Sequence, residues 1–290
     1  MTNRNSTEES GGRSAAADSR QKTNRHFGVG LARAFGGAIL FSFPMLMTME
    51  MWWLGFYIPP LRFALFMFLV IPLLAVLSYY FGYEDHYGWK DIALDPFVGY
   101  AVGFITSGVL LAVFSIIEWG MSFDEIIGKI AIQAVPASIG AMLARNQLGI
   151  GKGDEAKRYS KRYGGGLLMM AVGAILLSFS LASTEEMILI GYKMTEWHAV
   201  ALAILSLLII YAFIYAVPPE DRGSLRRGTP SWSVFLRFAI PGYGIALLIS
   251  FCVLWTFGRT DGLAIEAIAM SVIVTAFPAS LGVAAARLIL

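Results

Sequence analysis

Two glutamates, Glu50 and Glu186, occupy the same place in two similar apolar segments. Residues 37–51 read GAILFSFPMLMTMEM and residues 173–187 read GAILLSFSLASTEEM, with nine of fifteen positions identical at an offset of 136. A carboxylate inside a membrane helix costs about 2.5–3.5 kcal/mol on insertion scales unless it faces protein or water. The pair could therefore coordinate a cation or carry a proton. The alternative is that both acids lie near enough to the outer surface to be solvated, or that they pair with Lys193 or Arg62.

Small polar side chains repeat beside the glutamates at the same offset. Ser42 matches Ser178, and Thr48 matches Thr184. These hydroxyls could line a path for an ion, although small residues in membrane helices more often serve close helix packing.

A second repeated segment contains a proline. Residues 135–145 read VPASIGAMLAR and residues 277–287 read FPASLGVAAAR, with six of eleven positions identical at an offset of 142. Inside a helix, Pro136 and Pro278 would each remove the hydrogen bond to the carbonyl four residues earlier. Matching interruptions in two halves are typical of a transporter's binding region. A packing kink explains the pattern equally well.

Two further acids align at the offset of 142, Asp124 and Glu266. Both are predicted near the outer starts of helices, with Glu266 a turn deeper. Together with the first two glutamates they would make the outer mouth acidic, which concentrates cations. Asp124 could alternatively cap its helix, where an acid is favourable against the helix dipole.

Charged residues also repeat on the predicted inner face. Acids at helix C-termini oppose the dipole and need partners, and two repeated arginines at the same face are the candidates. A structural ion-pair network is favoured over an inner gate. The set comprises Glu84, Asp85, Glu220, Asp221, Arg145 and Arg287.

The composition predicts an all-α, polytopic integral membrane protein. The chain is 57% hydrophobic and 14% charged, whereas soluble domains average about 25% charged. Eight apolar segments are long enough to cross a ~30 Å hydrocarbon core. We place them at 33–56, 60–82, 97–118, 124–145, 165–190, 197–217, 234–257 and 262–287.

The domain organisation follows from the repeats. Residues 1–29 are predicted to be a disordered cytoplasmic tail, and residues 30–150 and 165–290 two four-helix repeats. Because four helices is an even number, the repeats should share one orientation and be related by a pseudo-two-fold axis along the membrane normal. All but four of the 22 basic residues then lie on the tail's side, which predicts that both termini are cytoplasmic in the plasma (inner) membrane.

Several function classes are disfavoured by what the sequence contains. The single cysteine, Cys252, excludes an intrachain disulfide, and the three histidines form no HxxxH or HExxH pair, so a histidine metal centre is not expected. A net charge of +2 does not suggest nucleic-acid binding. Without a GxxxxGK[ST] loop or a dense cluster of catalytic residues, we expect neither ATP-driven pumping nor an enzyme, and no cofactor.

The repeated GAIL-S-F…E-M and PAS-G motifs resemble those of a bacterial family of integral membrane proteins of unknown function, over about residues 30–290. This resemblance implies about eight helices but no activity. The first helix, with Arg33, Phe35 and Glu50, is also remotely similar in spacing to potassium channels that bear a Phe-Ser-Asp signature. Gly36 and Gly37 stand where that signature has Ser-Asp, so its pore chemistry is not implied.

Three hypotheses about function remain. The leading one is a secondary transporter for a monovalent or divalent cation or a proton, embedded in the lipid bilayer. The second is an oligomeric cation channel, which would make the protein a homo-oligomer, and the third is a nonconducting membrane assembly subunit.

Overall fold

Every regular element in the described part of the chain is helical. The computed structural model describes residues 28–81, 89–147, 163–216, 232 and 235–289. The helices are α1 Gly28–Leu46, α2 Met49–Tyr57, α3 Pro60–Phe81, α4 Trp89–Val113, α5 Phe123–Gln147, α6 Tyr163–Ala182, α7 Glu185–Lys193, α8 Glu196–Ala216, α9 Ile240–Thr256 and α10 Ile265–Ile289. A π-helical turn, Phe235–Ala239, leads into α9.

Eight of these helices are long and apolar enough to cross a membrane, which confirms the predicted all-α class and the number of spans. Their candidate spans contain 18 to 22 residues, and a rise of about 1.5 Å per residue carries such a helix across a hydrocarbon core. The two remaining helices, α2 and α7, have nine residues each.

The predicted spans 33–56 and 165–190 are each wrong as single helices. The chain breaks between α1 and α2 at Thr48 and between α6 and α7 at Thr184, where the backbone is extended. Each threonine hydroxyl donates to a carbonyl three residues earlier, Met45 or Leu181, at 2.9 Å. Such side-chain bonds compete with the helix's own hydrogen bonds and favour its termination.

The predicted span 97–118 also ends early, at Val113. Ser115 follows with a positive φ of 55°, and the Ile116 amide donates to the Leu111 carbonyl at 2.9 Å. A hydrogen bond from a backbone amide to the carbonyl five residues earlier, next to a residue with positive φ, is typical of a helix C-terminal cap. After α9, Gly258 has the corresponding φ of 71° and Arg259 bonds Leu254. Glu118 therefore lies in a loop.

Helices α5 and α10 are the central elements. In their candidate spans 83% and 61% of the residues are buried, more than in the other spans. Helix α5 packs against α2, α3 and α4, and α10 packs against α6, α7, α8 and α9. Each central helix thus packs against the other helices of its own half. We call residues 28–147 the first half and residues 163–289 the second half.

One close backbone crossing recurs at matching positions of the two halves. A Cβ added to Gly37 of α1 would meet the carbonyl oxygen of Gly140 in α5, and one added to Gly173 of α6 would meet that of Gly282 in α10. Glycine permits this approach because it has no side chain. The two crossings are related by the offsets of 136 and 142 found in the sequence.

The helix bounds follow the same offsets. Adding 136 to the bounds of α2 gives those of α7, and adding 142 to those of α5 gives those of α10. We still predict that residues 30–150 and 165–290 superpose as two like-oriented units. The matching helix bounds are consistent with this prediction.

The two halves share one hydrophobic core and an ion pair. Phe66 of α3 stacks on Phe179 of α6 with ring centroids 5.3 Å apart, and Phe179 meets Phe257 at 5.0 Å. At the end of the same contact, Arg62 binds Asp261 at 2.8 Å and the Trp255 carbonyl at 3.1 Å. Helix α3 is therefore the first-half element that covers the second half.

Candidate functional site

The two breaks in the helices form what we call the first elbow (residues 46–49) and the second elbow (residues 182–185). Their carbonyls have partners. In the first elbow the Trp52 indole N–H donates to the Leu46 carbonyl at 3.1 Å. In the second elbow the Arg259 guanidinium donates to the Ser183 carbonyl at 2.9 Å. The elbows are thus held by different residues in the two halves.

Glu50 and Glu186 lie in the first turns of α2 and α7, and not two-thirds of the way along continuous helices. Glu50 is half-buried and Glu186 is exposed. Among the described residues neither carboxylate has an ion-pair or hydrogen-bond partner, and Arg62 is engaged by Asp261 instead. The predicted pairing of the two glutamates across an axis remains a prediction.

Asp124 and Glu266 each stand second in their helices, α5 and α10, and both are exposed. Glu266 is therefore not a turn deeper than Asp124, because both helices begin one residue before the acid. Ser122 precedes α5, and its hydroxyl accepts the Glu125 amide at 3.3 Å. Both acids are placed where the helix dipole favours negative charge.

The repeated prolines and serines are buried in this structure. Pro136 and Pro278 are buried inside helices that continue past them. Ser42 and Ser178 are fully buried. The Ser42 hydroxyl donates to the Ile39 carbonyl at 3.1 Å, and that of Ser178 donates to the Ser250 hydroxyl at 3.3 Å.

The predicted inner-face network lies outside the described residues. This applies to Glu84, Asp85, Glu220 and Asp221, and to the side chains of Arg145 and Arg287.

An ion pair inside a candidate membrane span was not predicted from the sequence. Lys129 of α5 is only 8% exposed, and its Nζ lies 2.7 Å from Glu125 Oε1 and 3.5 Å from the Met121 sulfur. Lys129 is six residues into α5, about 9 Å from its start. From the sequence we had placed Lys129 only among the four basic residues on the outer side. The signal that could have found it is an acid and a lysine four residues apart inside the candidate span Phe123–Ala144.

The same face of α5 continues with a buried amide. Gln133, four residues after Lys129, is buried, and its Nε2 donates to the Ser42 carbonyl at 2.6 Å. Residues four apart lie on one face of a helix. We call Glu125, Lys129 and Gln133 the polar row.

Two hydroxyls on the neighbouring helix α4 are buried without a partner. Thr106 Oγ1 and Ser107 Oγ have no hydrogen bond to the described part of the protein. A buried polar group left unpaired is costly, so these hydroxyls are positions where water or a ligand group would be stabilised.

The second half has no charge in the matching row. At an offset of 142 the positions hold Ala267, Ser271 and Thr275. The Ser271 hydroxyl donates to the Ala267 carbonyl, and that of Thr275 donates to the Ser271 carbonyl, each at 2.9 Å. The charged pair is therefore a feature of the first half, and the two halves differ chemically at this level.

No group of three or more His, Cys, Asp or Glu side chains suited to a metal ion occurs in the described ranges. Eight candidate membrane spans are the main feature of the described part of the chain. The family model described as "Putative integral membrane protein (DUF2391)" matches residues 30–290. The chain belongs to this family. No curated protein and no solved structure gives a match. The DUF2391 description names no activity, so the function of this member rests on the chemistry of its site.

Proposed function

We propose that the protein transports a cation across the membrane in exchange for protons, with Glu125 and Lys129 as the proton-responsive pair. The 2.7 Å contact of the buried Lys129 with the half-buried Glu125 carries this proposal. Ionisable residues inside membrane spans are costly and usually mark ion or proton pathways. When Glu125 takes up a proton the pair gains one positive charge, which changes the interactions of Lys129 with its neighbours.

The exposed acids supply cations to this site. Glu50, Glu186, Asp124 and Glu266 are exposed or half-buried and start helices. Carboxylates in such positions raise the local cation concentration. The elbows add interrupted helices, which in secondary transporters accompany the ion sites.

The proposal includes the duplicated architecture. Residues 30–150 and 165–290 are two like-oriented repeats, both termini are cytoplasmic, and the protein resides in the plasma membrane. The paired helix bounds and glycine crossings support the duplication, and the distribution of basic residues supports the orientation.

Cysteine labelling tests the orientation. In a Cys252→Ser background, a membrane-impermeant maleimide should label Trp119→Cys in intact cells, because Trp119 is fully exposed in the α4–α5 loop. Ser14→Cys and Lys157→Cys should react only after permeabilisation. Labelling of these two variants in intact cells would contradict the proposed cytoplasmic location of both segments.

Flux in liposomes tests the transport proposal. When a pH gradient is imposed, protons should flow down it through the purified protein, and Na⁺, K⁺ or Ca²⁺ should move in the opposite direction. Glu125→Ala/Lys129→Met removes both charges and should reduce this flux to the level of empty liposomes, whereas the matched second-half change Ser271→Ala should leave it unchanged. Glu50→Gln and Glu186→Gln should depress flux mainly at low cation concentration, because their role is to attract cations.

Two results would contradict the proposal. One is wild-type exchange by the double variant. The other is flux that is independent of the proton gradient, which would favour the channel hypothesis. In a channel the pore would have to lie outside the α1–α5 crossing, because the backbones of these helices touch there.

A further inference from the structure

The contact between the two halves is not reciprocal. Phe179 is 1% exposed beneath α3, but its first-half counterpart at an offset of 136, Phe43, is 46% exposed. Phe257 is 5% exposed, but Phe114, which likewise comes directly before the positive-φ residue, is 48% exposed. A two-fold axis would give both members of each pair the same surroundings. The contact of α3 with the second half is therefore made, and the equivalent contact of α8 with the first half is not.

Matching positions of α3 and α8, and of α2 and α7, also differ in burial. Leu77 of α3 is fully buried, but its counterpart Phe213 of α8 is exposed. Leu54 of α2 is buried, but its counterpart Ile190 of α7 is exposed. The surface that the first half buries is thus left open on the second half.

These open surfaces form a complementary pair within one chain. We define the aromatic face as Phe43, Met47, Val113 and Phe114 of the first half, all exposed. We define the α8 face as Ile190 of α7 with His198, Leu202 and Phe213 of α8, of which Leu202 is half-buried and the others are exposed. Leu202 stands where α3 has Phe66, the residue that contacts the buried counterpart of the aromatic face.

The charges at the outer ends of these surfaces also correspond. Arg62 of α3 is matched at an offset of 136 by His198, and Asp261, three residues after Gly258, is matched by Glu118, three residues after Ser115. Arg62 and Asp261 form the ion pair between the halves. The Thr195 hydroxyl lies 2.7 Å from His198 Nδ1, which leaves Nε2 open. Glu118 is exposed, and its carboxylate has no partner among the described residues.

We propose that a second copy of this chain docks head to tail, with the α8 face of one copy on the aromatic face of the other. Leu202 then packs against Phe43 and Phe114, and His198 meets Glu118. The occupant is a second copy because each open surface is the counterpart of one already buried within the chain. Copies in one membrane share an orientation, so repetition of this unlike-to-unlike contact forms a ring if the rotation between successive copies closes. The proposal uses the duplication and is independent of what the protein transports.

Cross-linking of two differently tagged variants tests the contact. Glu118→Cys and His198→Cys, each in a Cys252→Ser background, are co-expressed and treated in membranes with a short bis-maleimide. A cross-linked species that carries both tags is expected. Each variant expressed alone should give no cross-link, because the contact joins unlike faces. Arg62→Cys/Asp261→Cys in one chain calibrates the reagent, and Leu248→Cys, on an exposed part of α9 outside both faces, controls for random collision.

Native mass spectrometry completes the test. Wild-type protein should have the mass of two or more chains, Glu118→Arg should shift it towards one chain, and Glu118→Arg/His198→Glu should restore it. A single-chain wild-type mass, cross-links between two identical variants, or an oligomer without the mixed cross-link would each overturn the proposal.

Discussion

Glu125→Ala should lower the free energy of unfolding by about 2 kcal/mol, and the additional change Lys129→Met should restore most of it. Removing the half-buried Glu125 leaves the charge of the buried Lys129 uncompensated, whereas replacing both charges by apolar groups is often neutral. Lys129 is the more buried partner, with a side chain 10% exposed. Its charge is therefore the one that water compensates least when Glu125 is removed. Thermal unfolding in detergent measures the difference.

Asp124→Ala is the matched control for this result. Asp124 adjoins Glu125 in the sequence but is exposed, so its replacement should change stability only slightly. Equal stabilities of Glu125→Ala and the double variant would show that Lys129 is solvated, which would remove the physical basis of the proposed proton-responsive pair. Because this measurement does not involve transport, it separates the state of the pair from the function assigned to it.

Gly37→Ala should destabilise the protein by about 2 kcal/mol, the cost of overpacking a tight contact. The added methyl group would meet the carbonyl oxygen of Gly140 and the side chain of Ala144, so α1 and α5 must move apart. The neighbouring residue provides a control, since a Cβ on Gly36 would meet nothing within 4 Å. Gly36→Ala should be neutral or slightly stabilising, because alanine favours helix more than glycine does.

The second half offers the same comparison. Gly173→Ala should be destabilising because its methyl group would meet Gly282, while Gly244→Ala lies in open space. Thermal unfolding of all four variants, with retention of helical circular dichroism at low temperature, tests the crossings. Similar unfolding temperatures for Gly36→Ala and Gly37→Ala would mean that α1 and α5 are not in backbone contact.

The number and the approximate positions of the spans were predictable because the signal is local. A stretch of about 20 apolar residues is enough to cross the bilayer, whatever it packs against. The elbows were not predicted, because the sequence stays apolar through the first, and the short polar run Ser183–Glu186 of the second lies between two apolar stretches that together are long enough for one span. The hydroxyls of Thr48 and Thr184 donate hydrogen bonds to backbone carbonyls where the helices end. The carbonyls of Leu46 and Ser183 then accept hydrogen bonds from Trp52 and Arg259. Arg259 comes from a distant loop, which no local pattern reveals.

The candidate site was predicted only in part. The sequence located the repeated acids but not their depth, since that depends on where each helix begins. It contained Lys129 and Glu125 at the right spacing, but burial of the pair depends on α2, whose Gly55 backbone lies against Gly128 and Lys129. A charge four residues from its partner is equally typical of a solvated helix end. Packing alone distinguishes the two cases.

The sequence by itself determined that this is a membrane protein of eight apolar spans and that the same side chains recur at offsets of 136 and 142. Only the tertiary structure decided which member of each pair is covered. Phe43 and Phe179 stand in almost the same local sequence, yet one is exposed and the other lies beneath Phe66. The physical reason is that burial is a property of the neighbouring surface. Helix α3 can cover only one of the two equivalent faces, and the fold of the whole chain places it on the second half.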